Sequence, residues 1–589
     1  MNKYFKFRKI IPLLMVLILL LNVIYYQVKI FAEETDDGSV ATETLGENAI
    51  FTNIDENGNV IEVSDDELNQ SGIIESNKLK YYRSARSVSI ENGVVNFRTK
   101  DASVNTKYTE LNSGRDGYIN GTYGADAAYI GHNDDGSKVY FMMAGVIGAV
   151  SKNDVEVLSY DDNRVQKFSE YYVSDGRLYH GIVTNLKNSD YSSRLDCGPK
   201  PSYLKEGASY FSYDGHYFYL DDGSDNGYVK MLKDYRNNTR ANSINPNNPY
   251  YNYYQYLPHR SKTIYTADDI NKYLNYKTKS SSKMRGMGSA FISNQDKYGV
   301  NALLMIGVAA NESAWGTSQI AQNKNNLFGH SAYDSDPSGS SNAYSTPAFS
   351  IYYHASTFLS KGYCNPNDWR YGGSFLGDKA SGVGVKYASD PYWAEKAAAH
   401  IWGMDSWLGG KDSYKYTLGI KDPLNYHFTN SAIRNSSSNS GTELYRTINR
   451  NGGKYVISNY AFINLDNYSN NGYYKIQTDA TLNSTRTAIL KQEEYSFSNS
   501  YGYIESKNTI ILQKGSNSST ADTTYLKGDV NGDGKVSTLD YIAIENHIMN
   551  RSRLTGDKIT RADVNGDGKV STLDYIAIEN HIMGRKPLF

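Results

Sequence analysis

Two cysteines, Cys197 and Cys364, in a chain of 589 residues cannot build a disulfide framework. They fall in segments of different character, so both are expected as free thiols. Ten histidines are scattered along the chain, and no zinc-ligand cluster of recognisable spacing forms. An excess of positive charge is also missing: 61 Lys and Arg face 63 Asp and Glu, a formal net charge of -2 with a sequence pI near 6.6. A generally nucleic-acid-binding surface is thereby excluded. Nor does a second long hydrophobic run follow the one near the N-terminus, so no stable membrane span is expected once that first run is removed.

That first run belongs to the basic "MNKYFKFRK", the apolar "IIPLLMVLILLLNVIYY" and the following "QVKIFAEE". Together they predict a secretory signal over 1–32, cleaved after Ala32, and a soluble, exported chain. Residues 33–79 hold thirteen acids and a single base, Lys78, and read as an acidic disordered spacer. Short apolar runs broken by Gly and Asp turns follow, such as "KVYFMMAGVIGAV" and "ASYFSYDGHYFYL", and predict strands in β modules over 95–160 and 161–260. Tyrosine is abundant, 54 residues, which suits sugar stacking and β-propensity equally. Helical sequence occupies 285–411. Strand-like sequence returns over 442–513, bounded by the Ser-rich "NSSSNSG" (435–441) and a linker at 514–524.

The last segment, 525–589, holds an exact repeat: "DVNGDGKVSTLDYIAIENHIM" at 529–549 recurs at 563–583. Each copy sets oxygen donors at the first, third, fifth, ninth and twelfth places of a calcium loop. These are Asp529, Asn531, Asp533, Ser537 and Asp540, then Asp563, Asn565, Asp567, Ser571 and Asp574. The backbone carbonyls of Lys535 and Lys569 fall at the seventh place, and Gly534 and Gly568 permit the turn. Two structural calcium ions are therefore expected. The twelfth residue is Asp instead of Glu, and the stretch before the first loop is too short and β-branched for an entering helix. A loop followed by one helix, duplicated, resembles the dockerin module. That resemblance implies docking on a cohesin-bearing partner through Thr538, Leu539, Thr572 and Leu573.

In the helical segment, "ALLMIGVAA" (302–310) is apolar around its whole circumference and predicts a buried helix that Asn301 caps. Glu312 at its far end meets an apolar wall and the negative end of the helix dipole, both of which favour a retained proton, as a general acid requires. An ordinary helix-end glutamate facing solvent fits this segment as well. "NESAWGTSQIAQNKNNLFG" (311–329) and "VKYASDPYW" (385–393) resemble glycoside hydrolase family 73, the glucosaminidases of lysozyme-like fold. The resemblance implies that Glu312 is the acid and that Tyr387, Asp390, Tyr392 and Trp393 line the cleft. It also implies sugar contacts from Trp315, Asn326, Phe328 and Tyr333.

A second catalytic group is open among Asp334, Asp336, Asp390 and the substrate's own acetamido oxygen oriented by a tyrosine. Asp390 precedes a proline and can equally cap the next helix. The expected architecture is multidomain: β-rich N-terminal modules, a mainly α lysozyme-like catalytic domain, a small Src-homology-like β-barrel at 442–513 resembling the module at 95–160, and an α dockerin with two calcium loops. The expected role is a secreted, wall-associated hydrolase acting on peptidoglycan glycan strands. Chitin-like or host N-glycan chains, or a non-catalytic wall-binding scaffold, are the alternatives.

Overall fold

The computed structural model describes residues 51–54, 60–63, 90–330, 341–423, 429–449, 455–491, 494–515, 528–531, 535–554, 557–565, 569–585 and 588. The predicted signal (1–32), most of the acidic spacer (33–79) and most of the linker (514–524) lie outside them. So do Tyr333, Asp334, Asp336, Asp533, Gly534, Asp567 and Gly568. Among the described residues, no helix is long and apolar enough to cross a membrane. Two compact units divide the chain, Met1–Ser516 and Asn517–Phe589.

In the first unit, a hairpin of β1 (Phe51–Ile54) and β2 (Val60–Val63) precedes a seven-stranded antiparallel sheet. Its strands are β3 (Gly93–Asn96), β4 (Thr106–Glu110), β5 (Asp116–Ile119), β6 (Asp126–His132), β7 (Lys138–Met143), β8 (Val146–Ser151) and β9 (Glu156–Ser159), in the order β5-β4-β8-β7-β6-β3-β9. Val139, Phe141 and Met143 face one core and Tyr140 and Met142 another, so both faces of the sheet are covered. This is why "KVYFMM" reads as a continuous apolar run.

A second antiparallel sheet has β10 (Glu170–Ser174), β11 (Arg177–Ile182), β12 (Ser193–Pro199), β13 (Ser209–Phe211) and β14 (Tyr219–Asp221), in the order β12-β11-β10-β13-β14. The helix α1 (Asn226–Arg236) follows and lays Tyr228, Met231, Leu232 and Tyr235 on one face of the first sheet. The tyrosine-rich stretch 161–260 is thus part helix, and many of its tyrosines serve the core. Tyr213 donates to Asp126 at 2.6 Å and Tyr219 to Asp234 at 3.0 Å, so their rings fill the interior while their hydroxyls satisfy buried carboxylates.

The helical region comprises α2 (Tyr253–Tyr256), α3 (Ala267–Lys277), α4 (Gly288–Tyr298), α5 (Ala302–Ser313), α6 (Gln319–Lys324), α7 (Pro347–Tyr353) with a π-helical continuation His354–Tyr363, α8 (Gly384–Tyr387) and α9 (Trp393–Trp407). Asn301 caps α5 by accepting from Leu303 N and Leu304 N, and every residue from Ala302 to Ala310 is buried. The helices α5 and α9 approach closely at Gly307, where a Cβ would lie 2.6 Å from the Ala397 carbonyl oxygen. Glycine is the residue that permits this approach.

A third antiparallel sheet follows, with β15 (Leu418–Lys421), β16 (Ala432–Arg434), β17 (Glu443–Arg446), β20 (Tyr460–Asn470), β21 (Tyr473–Gln477), β22 (Tyr501–Glu505) and β23 (Thr509–Gln513). A small β18 (Ile448–Asn449) and β19 (Tyr455–Val456) pair lies between them in sequence. The order is β17-β16-β22-β21-β20-β15-β23, so the sheet begins well before residue 442. "NSSSNSG" is accordingly the turn of the β16–β17 hairpin and not a linker between domains. Its composition is that of any tight polar turn, and sequence alone cannot separate the two.

The second unit holds α10 (Thr538–Ile548), α11 (Asp557–Ala562) and α12 (Thr572–Ile582) around Val530, Ile544, Ala562, Val564 and Ile578. Tyr541 and its repeat counterpart Tyr575 stack on one another at 4.2 Å.

Candidate active site and duplicated carboxylate loops

Glu312 lies in the last turn of α5, and the chain stops the helix there by force. Ala314, Trp315 and Gly316 take three successive positive φ angles, 49°, 58° and 74°. For the two residues with a Cβ this costs of order 1–3 kcal/mol each. Ser313 holds the turn, accepting from Gly316 N at 2.7 Å and donating to the Ala309 carbonyl. The effect is to leave the Glu312 side chain half-buried at an abrupt helix end.

Two distant segments close on that carboxylate. Trp393, the first residue of α9, donates its indole N–H to Glu312 Oε1 at 2.5 Å. Tyr387 stacks on Trp393 at 4.5 Å and donates its hydroxyl to the Phe328 carbonyl at 2.7 Å. Burial, then the nearby Glu312, pushes the Tyr387 phenol well above its ordinary value, so it stays a neutral donor. Gly329, with φ +64°, brings bare backbone against the site: a Cβ there would stand 2.8 Å from Glu312 Oε2. Nothing in the sequence reading singled out Gly329, although the Asn-Leu-Phe-Gly ending was its signal.

Asn326 and Phe328 support this loop from within. Asn326 accepts from Phe328 N and His330 N and donates to the carbonyls of His330 and Asn342. Phe328 is fully buried and stacks on His354 at 3.8 Å, while His330 stacks on Phe358 at 3.9 Å. The two imidazoles share a 3.0 Å contact, and burial pushes His330 down to about 3 and His354 well below its ordinary value. The expected sugar contacts at Asn326 and Phe328 are therefore buried framework of the loop.

Tyr392 also departs from expectation. It is buried in the core of the first sheet, edge-on to His180 at 5.0 Å and pressed against Gly124. The adjacent Trp393 points to Glu312 because successive residues entering a helix diverge in direction. Asp390 caps the turn, accepting from Tyr392 N at 2.9 Å and from Lys396 Nζ at 2.6 Å. Its carboxylate is committed to the cap and the ion pair. Trp315 is half-buried and meets Tyr273 and His400.

In the first turn of α9, Glu395 is buried and has no signal in the sequence. Its oxygens meet His180 Nδ1 at 2.8 Å, Tyr171 Oη at 3.1 Å and Cys197 Sγ at 3.2 Å. These partners come from β10, β11 and β12, so the second sheet grips the helix that carries Trp393. Cys197 and Cys364 are both free and buried, and burial raises the Cys197 thiol well above its ordinary value.

In the second unit the repeat produces matching geometry. Asp540 and Asp574 are fully buried. Asp540 accepts from Asn531 N, Ser537 N and Ser537 Oγ, and Asp574 from Asn565 N, Ser571 N and Ser571 Oγ. Each thereby closes a loop and starts a helix at once. Asp529 is buried and Asp563 half-buried, and Asn531, Lys535, Asn565 and Lys569 are exposed. Carboxylate and carbonyl oxygens are the donor type that a hard divalent cation takes. Among the described residues no group of three or more His, Cys, Asp or Glu forms a metal cluster, and Asp533 and Asp567 lie outside them. Thr538, Leu539, Thr572 and Leu573 are exposed, Leu539 and Leu573 to 63% and 64%.

Residues 288–406 match the Glucosaminidase family, described as mannosyl-glycoprotein endo-beta-N-acetylglucosaminidase, and residues 527–583 match the dockerin type I domain. Two Streptococcus pneumoniae proteins named endo-beta-N-acetylglucosaminidase, one from serotype 4, are each 31% identical over 287 residues. The matches take in 47% of this chain and 36% and 34% of the relatives, so the chain spans about a third of their length. A catalytic mutant of S. aureus autolysin E in complex with the disaccharide NAG-NAM is similar at 24% identity and TM-score 0.23, over 27% of this chain and 75% of that one. A structure of the major bifunctional autolysin is similar at 24% identity and TM-score 0.20, over 27% and 71%. The chain thus carries a glucosaminidase domain, which is a glycoside hydrolase domain, and a dockerin domain.

Proposed function

We propose that this protein is an exported peptidoglycan hydrolase that cleaves the β-1,4 bond after N-acetylglucosamine, with Glu312 as the general acid. The observation that carries the reading is the fixed carboxylate itself, oriented by the Trp393 indole and faced by the bare backbone of Gly329, inside the segment that matches the glucosaminidases. Glu312 protonates the leaving glycosidic oxygen. With Asp390 tied to Lys396, the substrate's acetamido oxygen attacks the anomeric carbon, and Tyr387 stands beside the acid to orient it. The Glu312 carboxylate left behind then takes a proton from the water that opens the cyclic intermediate, with net retention. Zymography on purified cell wall comparing the wild type with Glu312→Gln tests this: clearing by the wild type alone supports it, and equal clearing refutes it.

The name of the matching family, mannosyl-glycoprotein endo-beta-N-acetylglucosaminidase, favours a second reading, cleavage within the N-glycan of a mannosyl glycoprotein. The same pair of proteins assayed on a high-mannose glycoprotein separates the two substrates.

The C-terminal unit is read as a calcium-folded dockerin that mounts the enzyme on a cohesin-bearing partner. Asp529, Asn531, Asp533, Lys535, Ser537 and Asp540 would hold one ion, and Asp563, Asn565, Asp567, Lys569, Ser571 and Asp574 a second. The exposed Thr538, Leu539, Thr572 and Leu573 would form the docking face.

A further inference from the structure

The helix α9 carries Trp393, His400 and Trp407 at seven-residue intervals, which places them on one face over roughly 21 Å of helix. Trp393 holds Glu312 at one end of this stripe. At the other end Trp407 is 43% exposed and lies flat against Tyr276 of α3, itself 66% exposed, with ring centroids 4.9 Å apart and planes 24° from parallel. Aromatic rings bridge the distance between. His400 meets Trp315 at 5.2 Å, Trp315 meets Tyr273 at 6.0 Å, and Tyr273 meets Trp407 at 5.5 Å. The Lys277 ammonium lies over the Trp315 ring at 5.5 Å.

We infer that Tyr276 and Trp407 form an outer sugar-stacking platform, which holds the same glycan strand several residues away from the bond being cut. This rests on the proposed glycan hydrolysis and extends it to substrate length. A pyranose ring offers an apolar C–H face and a hydroxyl rim. A flat, half-wet aromatic pair with a phenol, an indole N–H and an ammonium around it complements both. A protein-docking patch would present a larger dry surface, whereas here the exposed rings are two. Continuity with the turn that carries Glu312 and Trp315 commits the platform to the substrate of that site.

The test uses the full chain carrying Glu312→Gln, so that binding is read without turnover, with and without Tyr276→Ser and Trp407→Ala, on insoluble peptidoglycan sacculi. The double substitution is expected to weaken retention about tenfold. Unchanged retention overturns the platform. In the active chain, the same double substitution should raise KM on long glycan about tenfold, leaving kcat and the KM for short soluble oligomers of N-acetylglucosamine unchanged. Equal loss on long and short substrates overturns the inference. Tyr276→Ser alone, at a strongly exposed position, keeps the test valid if Trp407→Ala disturbs packing, and Tyr276→Phe should restore binding. A chain that binds sacculi through the platform but cleaves no glycan refutes the hydrolase reading alone.

Discussion

The glucosaminidase domain and the duplicated C-terminal unit both bury carboxylates, and they do so by opposite means. In the first, Glu312 and Glu395 meet donors brought from elsewhere in the fold: the Trp393 indole for Glu312, and His180, Tyr171 and Cys197 for Glu395. In the second, Asp540 and Asp574 accept from backbone and hydroxyl groups within their own loops. A large core supplies long-range partners, whereas a short loop–helix unit has only itself and an ion from solution. The difference predicts that one region is indifferent to calcium and the other depends on it.

Chelating calcium is therefore the widest test. The Asn517–Phe589 unit should lose its helical circular dichroism and regain it with added calcium, while wall lysis stays unchanged. A folded unit in chelator would abolish the contrast. Next, Glu312→Gln should lower turnover by about 10²–10⁴-fold without lowering Tm, because in the proposed mechanism one donor-held carboxylate carries the proton. Third, Glu395→Ala leaves His180 facing an empty site and should destabilise the first unit by about 3–5 kcal/mol, read from denaturant unfolding. A small loss there would mean that the sheet does not depend on this grip.

The fourth test concerns protons. Burial pushes His259 and His330 down to about 3, against an unfolded value near 6.5. The stability tied to each neutral ring is fully present above pH 6.5 and is lost as pH falls toward 3, by up to about 1.4 kcal/mol per pH unit. Imidazole nitrogen shifts should show both rings neutral at pH 5, and a ring titrating near 6.5 would break the expectation. The smallest effect is expected in the repeat. Replacing Thr538 and Leu539 by Ala and Lys, or Thr572 and Leu573 likewise, should leave cohesin affinity nearly intact. Changing all four should abolish it, as calorimetry in calcium would report.

What the sequence disclosed followed the range of the forces involved. The buried helix α5, its Asn301 cap and the exposed Thr-Leu pairs arise from local pattern and were legible. So was the place of Glu312 at the end of an apolar helix, although not its Trp393 donor 81 residues away. Tyr392 and Trp393 are neighbours in one motif, yet one enters the core of a sheet more than two hundred residues earlier in the chain and the other the site. No periodicity separates them, because the first turn of a helix sends adjacent side chains to different surroundings. Asn326 and Phe328 are buried for a related reason: a motif marks residues together, without marking which of them face solvent and which fill the loop.

The grip on Glu395 bears on how such a domain travels between genomes. Strand β12 also brings Gly198 so close to Trp402 that a Cβ would fall 2.4 Å from the indole. A gene fragment cut to the borders of residues 288–406 would encode α9 without Tyr171, His180, Cys197 or that strand. Recombination that transplanted it alone would leave Glu395 without the three donors that hold it. The structural cassette is larger than the recognisable one, since it includes the upstream sheet.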